Sequence, residues 1–282
     1  MLPSMTTWFI TGAARGFGAL VAERALTLGH SVVATARDPV AVTRRLGDHD
    51  RLLALPLDVT DEAQATDAAA AGIDRFGTID VLLNNAGFGL IGAVEEATMA
   101  EVERLYSTNV FGLLNVTRAI LPQMRRQRSG RILNISSIGG YRGAAGFGIY
   151  ASTKFAVEGL SEALHAELAP LGIHVTVVEP GYFRTDFLDA SSLATSPHLI
   201  EDYAGTAGAV RRRARELNHA QPGDPLRLAE VLVEFASAAE PPVRLPLGSD
   251  TVAAIEAKHA ADAAILRQWR EVSVSTDFPR EH

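Results

Sequence analysis

Short runs of nearly continuous apolar and β-branched residues alternate with longer amphipathic stretches from the start of the chain. Thr7–Ile10, Ser31–Ala36, Leu52–Leu57, Val81–Leu83, Arg131–Ile135 and His174–Val178 are such runs, and Val243–Leu247 reads as a final strand despite Pro246. Runs without polar alternation suit strands covered on both faces of a parallel sheet. Between them the apolar spacing predicts helices at Ala19–Leu28, Pro39–Leu46, Glu62–Phe76, Met99–Met124 and Ala151–Leu168, then at about 226–239 and 249–271. Boundary residues agree with this division. Asp38 before Pro39 reads as an N-cap with Pro at the first helical position, Thr98 with Glu101 as a capping box, and Gly29, Gly77 and Gly172 as helix stops. Alternation at this rhythm predicts βαβ units, hence the α/β class with one doubly wound parallel sheet of about seven strands and helices on both faces. Residues 182–224 break the rhythm: aromatics, small residues and an arginine cluster follow one another without a strand. They are expected to form a C-terminal lid over whatever the sheet binds. No repeat or linker divides the chain, so residues 1–282 are expected to form a single domain.

Composition narrows the function classes. The 282 residues carry a net charge of −7 and no cysteine. Without cysteine there is no disulfide framework, zinc ribbon, iron–sulfur cluster or thiol nucleophile. An acidic balance argues against nucleic acid, whose phosphates require a surplus of cations. No apolar run approaches the ~20 residues of a membrane span, and Met1–Thr7 lacks the basic start of a leader. The expectation is a soluble, cytoplasmic protein. The eight histidines have no metal-ligand spacing, so no metal is expected. The cations divide very unevenly: only Lys154 and Lys258 are lysines, and the other 24 are arginines.

Chemistry concentrates where the expected strands end. Thr11-Gly12-Ala13-Ala14-Arg15-Gly16-Phe17-Gly18 follows the first strand and opens the first helix. Glycines there let backbone turn tightly and approach a pyrophosphate at a helix N-terminus. The spacing is G-x-x-x-G-x-G instead of the commoner G-x-G-x-x-G. The second strand ends Thr35-Ala36-Arg37, with no acidic residue at Ala36 to accept from a ribose 2′-hydroxyl. Arg37, with Arg15, suits a 2′-phosphate, because guanidinium forms paired hydrogen bonds to phosphate. Asp38 complicates that reading unless its carboxylate serves as a cap. Tyr150 and Lys154 are four residues apart and so share a helix face. A tyrosine, with its ordinary pKa of about 10, exchanges protons near neutrality only if a neighbouring cation stabilises its anion. In a chain that uses arginine almost everywhere, the lysine beside this tyrosine stands out.

Together with Asp58-Val59, Asn84-Asn85-Ala86-Gly87, Asn109, Ser136-Ser137 and Pro180-Gly181-Tyr182-Phe183-Arg184-Thr185, these motifs resemble the short-chain dehydrogenase/reductases over residues 6–185. Asp80–Gly87 and Gly130–Ser137 are most similar to the hydroxysteroid- and retinol-dehydrogenase-like members. The resemblance implies a Rossmann-type fold and an alcohol dehydrogenase or carbonyl reductase that prefers NADP(H) to NAD(H). By that resemblance Tyr150 is the general acid, Lys154 stabilises its anion and holds the nicotinamide ribose, Ser137 bonds the substrate oxygen, and Asn109 holds a relay water. Ser136 is the other candidate for the role of Ser137. Cofactor contacts would be Gly12, Arg15, Gly16, Phe17, Gly18, Arg37, Asp58, Val59, Asn85, Ala86, Gly87, Tyr150, Lys154, Pro180, Gly181 and Thr185. Phe88, Leu90, Tyr141, Phe147, Tyr182, Phe183, Phe187 and Leu188 are expected to line an apolar pocket for a small-molecule carbonyl or alcohol, steroid-, retinoid- or aryl-ketone-like. Family members pair through long helices, so a homodimer or homotetramer through Met99–Met124 and Ala151–Leu168 is expected. Two other readings remain open: an idle NADP-binding sensor, and a nucleotide-sugar epimerase or dehydratase. The arginines at 211–215 are expected to form a solvated helix face.

Overall fold

The computed structural model describes residues 5–278; most of the stretch Met1–Thr7 lies outside the described residues. Seven strands form one sheet in which every neighbouring pair is parallel: β1 (Thr7–Thr11), β2 (Ser31–Ala36), β3 (Leu52–Pro56), β4 (Val81–Asn84), β6 (Gly130–Ile135), β7 (Ile173–Pro180) and β9 (Arg244–Leu247), in the order β3-β2-β1-β4-β6-β7-β9. Side-chain alternation along β1 shows how both faces are filled. Trp8 and Ile10 pack with residues of α1 (Gly16–Thr27) and α8 (Pro225–Phe235). Phe9, between them, packs on the opposite face with α3 (Glu62–Phe76) and α5 (Leu113–Gln127). A strand buried on both faces has no polar side to show, which is why its sequence does not alternate. The order reverses beside β1, so the strand ends of β1 and β4 open a crevice at the carboxyl edge of the sheet.

The caps lie where the sequence places them. Asp38 accepts from Val40 N at 3.0 Å and opens α2 (Pro39–Leu46). Thr98 and Glu101 form a reciprocal capping box at α4 (Met99–Tyr106). Two expectations need correction. The helix expected to run without interruption through 99–124 contains a wide π-helical segment at Ser107–Gly112, between α4 and α5. Residues 182–224 also contain a strand, β8 (Leu193–Thr195), which pairs in parallel with β5 (Gly89–Ile91), followed by helix α7 (Ala207–Leu217). The remaining helices are α6 (Gly148–Leu168) and α9 (Ser249–Val274). None of the helices among the described residues is long and apolar enough to cross a membrane.

Gly172, after α6, has φ +72°, and a Cβ there would collide with the Arg128 carbonyl oxygen. Gly29 has φ +87° but faces open space. Gly29→Ala should therefore cost only the ~1–2 kcal/mol of a left-handed non-glycine residue, and Gly172→Ala should cost more. Urea denaturation measures both, and equal losses would contradict the packing role of Gly172.

Candidate active site

The loop between β1 and α1 carries the expected glycines. Gly12 and Gly16 have φ of +66° and +55°, a region that glycine enters freely. A Cβ on Gly18 would lie 2.6 Å from Gly12 O, so the loop closes only without one. Side chains cap α2, α3, α4 and α8, whereas none caps α1. Its first amides face the glycine loop, an arrangement that suits a phosphate. Asn85 braces this loop, donating from Nδ2 to Thr11 O at 2.9 Å and Gly12 O at 3.2 Å, while Asn85 N and Ala86 N both donate to Thr11 Oγ1. The Phe17 ring packs edge-on against Phe183 at 5.6 Å.

At the rim, Arg37 is exposed with neither a hydrogen bond nor an ion pair among the described residues. Asp38, next to it, accepts from Val40 N through Oδ1 as the cap of α2 and makes no ion pair with Arg37. Arg15 reaches the other way, donating to Ser191 Oγ at 2.7 Å and Ser191 O at 2.8 Å across the opening of the lid. Asp58 accepts from Thr60, and Val59 packs against Gly112.

The π-helical segment sets Asn109. Its side chain accepts from Phe88 N at 3.1 Å and donates to Phe88 O at 3.0 Å and Thr153 Oγ1 at 3.2 Å. A Cβ on Gly87 would stand 3.1 Å from Asn109 Oδ1 and 3.8 Å from Lys154 Nζ, so glycine is what lets these two groups converge. Lys154 Nζ donates to Ile135 O at 2.9 Å and lies 5.7 Å from the centre of the Tyr150 ring. Ser137, just past the end of β6, accepts from Gly139 N at 3.1 Å, and its hydroxyl lies on the Tyr150 side of the corner, where it favours the phenolate. Asn109, Ser137, Tyr150 and Lys154 thus lie around one corner of the fold.

That corner is dry. Tyr150 is 7% and Lys154 6% exposed. Burial pushes the Tyr150 phenol above the usual tyrosine value, with the Ser137 hydrogen bond pulling it back and Tyr182 adding to the rise. Burial lowers Lys154 to about 8, opposed by the Glu158 carboxylate. Tyr150 therefore rests as a neutral hydroxyl, the form that can give a proton. Phe147 and Phe187 flank its ring at 6.1 and 5.8 Å between centres, and Phe88, Leu90 and Leu105 complete an apolar cluster around it. Two of the expected pocket residues sit at its margin. Tyr182 is 41% exposed, its backbone N–H bound to Asp250 at 2.8 Å. Tyr141 turns its ring toward Arg244 and its hydroxyl toward His259 of α9. Between them runs Pro180-Gly181, where a Cβ on Gly181 would collide with the Asp250 carboxylate; Thr185 Oγ1 accepts from Phe187 N at 3.3 Å.

The segment 182–224, expected to form a lid, has an anchor that local sequence does not reveal. Arg211, expected on a solvated face, forms a two-pronged pair with Glu96 at 2.5 and 3.3 Å. Glu96 is 1% exposed and also accepts from Ala93 N and Ile200 N. Arg212, Arg213 and Arg215 are exposed, as expected of that cluster. The signal missed was Glu96 itself, a carboxylate 115 residues away. Hydrogen bonds from Arg211 and Ile200 N hold the Glu96 carboxyl down at about 2. Because the folded value lies below the ordinary one, this stabilisation is present above about pH 5 and is lost as pH falls toward 2. Glu96→Gln should lower the melting temperature near neutrality, and the gap to the parent should close on acidification. A gap that stays constant down to about pH 3 would contradict the pairing.

The family model described as short chain dehydrogenase matches residues 6–195. Oxidoreductase BOA17 of Botryotinia fuckeliana is 39% identical over 275 residues, covering 95% of this chain and 98% of that protein. The 3-ketodihydrosphingosine reductase of Bacteroides thetaiotaomicron is 38% identical over 85% of this chain and 86% of its own. A short-chain dehydrogenase structure from Streptomyces avermitilis superposes with a TM-score of 0.90 at 41% identity, over 98% of this chain and 100% of that one. More distant structures carry cofactors. A 3-ketoacyl-(acyl-carrier-protein) reductase from Brucella melitensis (27% identity, TM-score 0.72, 86% of this chain and 96% of that one) is complexed with NADH. ElxO (25%, TM-score 0.73, 88% and 99%) is bound to NADP.

Proposed function

The chain belongs to the short-chain dehydrogenase family, and on that premise we propose that it is an NADP(H)-dependent oxidoreductase that reversibly reduces an apolar ketone or aldehyde to the alcohol. One observation carries the reading: a buried tyrosine, with Ser137 near its hydroxyl and the Lys154 ammonium 5.7 Å from its ring centre, packs within a wall of Phe88, Leu90, Phe147 and Phe187. The uncapped start of α1 and the glycines before it fit the phosphates of a nicotinamide cofactor, with Gly12, Arg15, Gly16, Phe17 and Gly18 around them. Asp58, Val59, Asn85, Ala86 and Gly87 would flank the adenosine half, and Lys154, Pro180, Gly181 and Thr185 the nicotinamide half. When bound, that cofactor supplies the hydride.

The chain's own residues handle the proton. A substrate oxygen seated between Ser137 and Tyr150 accepts hydrogen bonds from both hydroxyls, which favour the negative charge that develops there. Tyr150 gives its proton to that oxygen. The phenolate left behind faces a lysine that keeps its own proton to about pH 8, so the anion is matched by a cation. Asn109, whose amide hydrogens are taken by Phe88 O and Thr153 Oγ1, would hold a water for reprotonation through an oxygen acceptor. The aromatic wall excludes bulk water and favours apolar substituents, which accords with a relative named for a keto compound. Similar structures carry either cofactor, so the preference for NADP(H) rests on Ala36, the unengaged Arg37 and the capping role of Asp38.

Tyr150→Phe should lose at least about 10²-fold in kcat while still binding NADPH. Retained turnover would remove Tyr150 from the role, and a kcat/KM tenfold or more in favour of NADH would reassign Arg37. Phe111 and Phe155, 54% and 47% exposed on the π-helical segment and α6, support pairing of two copies across these helices. Light scattering should report a dimer or tetramer, with Phe155→Glu shifting it toward the protomer; a protomer in the parent would contradict this.

A further inference from the structure

Tyr150, Lys154, Glu158 and Glu162 recur every four residues along α6 and so share one face of the helix. The first three are buried, Glu158 to 3% exposure. Behind that face, Arg244 of β9 donates from Nη1 to Glu158 Oε2 at 2.6 Å and to Glu179 Oε1 at 2.5 Å. Its Nη2 and Nε donate to Glu162 Oε1 at 2.8 and 3.2 Å. Glu179, at 0% exposure, immediately precedes Pro180-Gly181. Two buried carboxylates thus share one guanidinium nitrogen, and each leaves an oxygen without a partner: Glu158 Oε1 and Glu179 Oε2. Ser136 Oγ, also without a partner, converges with Glu158 Oε1 on Gly140, where a Cβ would come within 2.5 and 2.7 Å of them.

Leaving such oxygens bare in a dry site is costly, and so is keeping two like charges side by side. One proton on the pair removes a like charge and turns one bare oxygen into a donor. Burial, and then the facing Glu179 carboxylate, push Glu158 up to about 7, while Ser136 and Arg244 draw it down. The charged and titratable groups around Glu158 are Lys154 and Glu162 on its own helix, Glu179 from β7 and Arg244 from β9. The loop after β6 adds Tyr141, whose hydroxyl pairs with His259 of α9.

We propose that Glu158 and Glu179 hold one proton between them under Arg244, and that Glu158 is a positioning residue whose charge, one helical turn behind Lys154, keeps that ammonium protonated beside Tyr150. This deepens the proposed reaction and rests on the reading of Lys154 as the cation that matches Tyr150. As pH rises, the acid pair releases its proton before the lysine does, and the added negative charge delays the loss from Lys154. Neither the pair nor its effect on Lys154 depends on turnover, so both are measured on the cofactor-free chain.

The chain has only two lysines, so isotope labelling of lysine side chains yields two NMR signals, and Lys258→Arg assigns them. The titration midpoint of Lys154 should move to lower pH in Glu158→Gln, and by less in Glu179→Gln. In the unsubstituted protein, infrared spectra should show a buried protonated carboxyl that disappears as pH rises through neutrality. Where Glu158→Gln fails to fold, the infrared titration and Glu179→Gln still decide. A parent protein without the carboxyl band, or an unchanged Lys154 midpoint in a folded variant, would overturn the proposal. A shifted midpoint in an enzyme that reduces nothing would uphold it and refute the proposed reaction instead.

Discussion

Keeping a charged lysine out of water is the constraint on which this site is built. An ammonium buried without partners is among the costliest groups a fold can carry. Lys154 is 6% exposed and meets that cost locally: Ile135 O accepts from it, and the Glu158 carboxylate stands one turn behind it. Each partner comes from a different element of the sheet or its helices. The doubly wound arrangement matters to the chemistry because it brings the ends of β4 and β6 and the start of α6 to one point. The same burial holds Tyr150 as a neutral hydroxyl.

The lid is tied down at separated points. β8 pairs with β5, Arg211 is buried against Glu96, and Arg15 reaches from the glycine loop to Ser191. Its Phe187 lies on Tyr150, and its Leu193 comes within contact distance of Gly89. The Tyr150 ring, the proposed proton donor, is therefore covered by the segment proposed to admit a substrate. Arg15 joins that segment to the loop proposed to hold phosphate.

Local sequence made the sheet, the caps and the Tyr150–Lys154 pair legible, because each has a short-range signature, whereas Asn109 and Ser137 were singled out only by the family resemblance. A strand buried on both faces is a continuous apolar run, an N-cap sits next to its helix, and Tyr150 and Lys154 are separated by one turn. Other features lacked any such signature. A π-helical widening at Ser107–Gly112 adds one residue to a turn and leaves the apolar periodicity of 99–124 nearly intact. β5 and β8 have three residues each, too few to show a period, and pair across about a hundred residues. Arg211 reads as an ordinary surface cation until the fold delivers Glu96 to it, and nothing local marks Arg244 as the partner of Glu158 and Glu179. Lysine scarcity was a compositional pointer to Lys154, which the fold buries beside Tyr150.

The account stands or falls on where one hydrogen goes. NADPH carrying deuterium at the transferable position of nicotinamide C4 can be incubated with the protein and a set of apolar ketones and aldehydes, and the alcohols examined by mass spectrometry and NMR. The account predicts deuterium on the carbinol carbon of the product. A carbinol carbon labelled from water, or no alcohol from any carbonyl in the set, would contradict it.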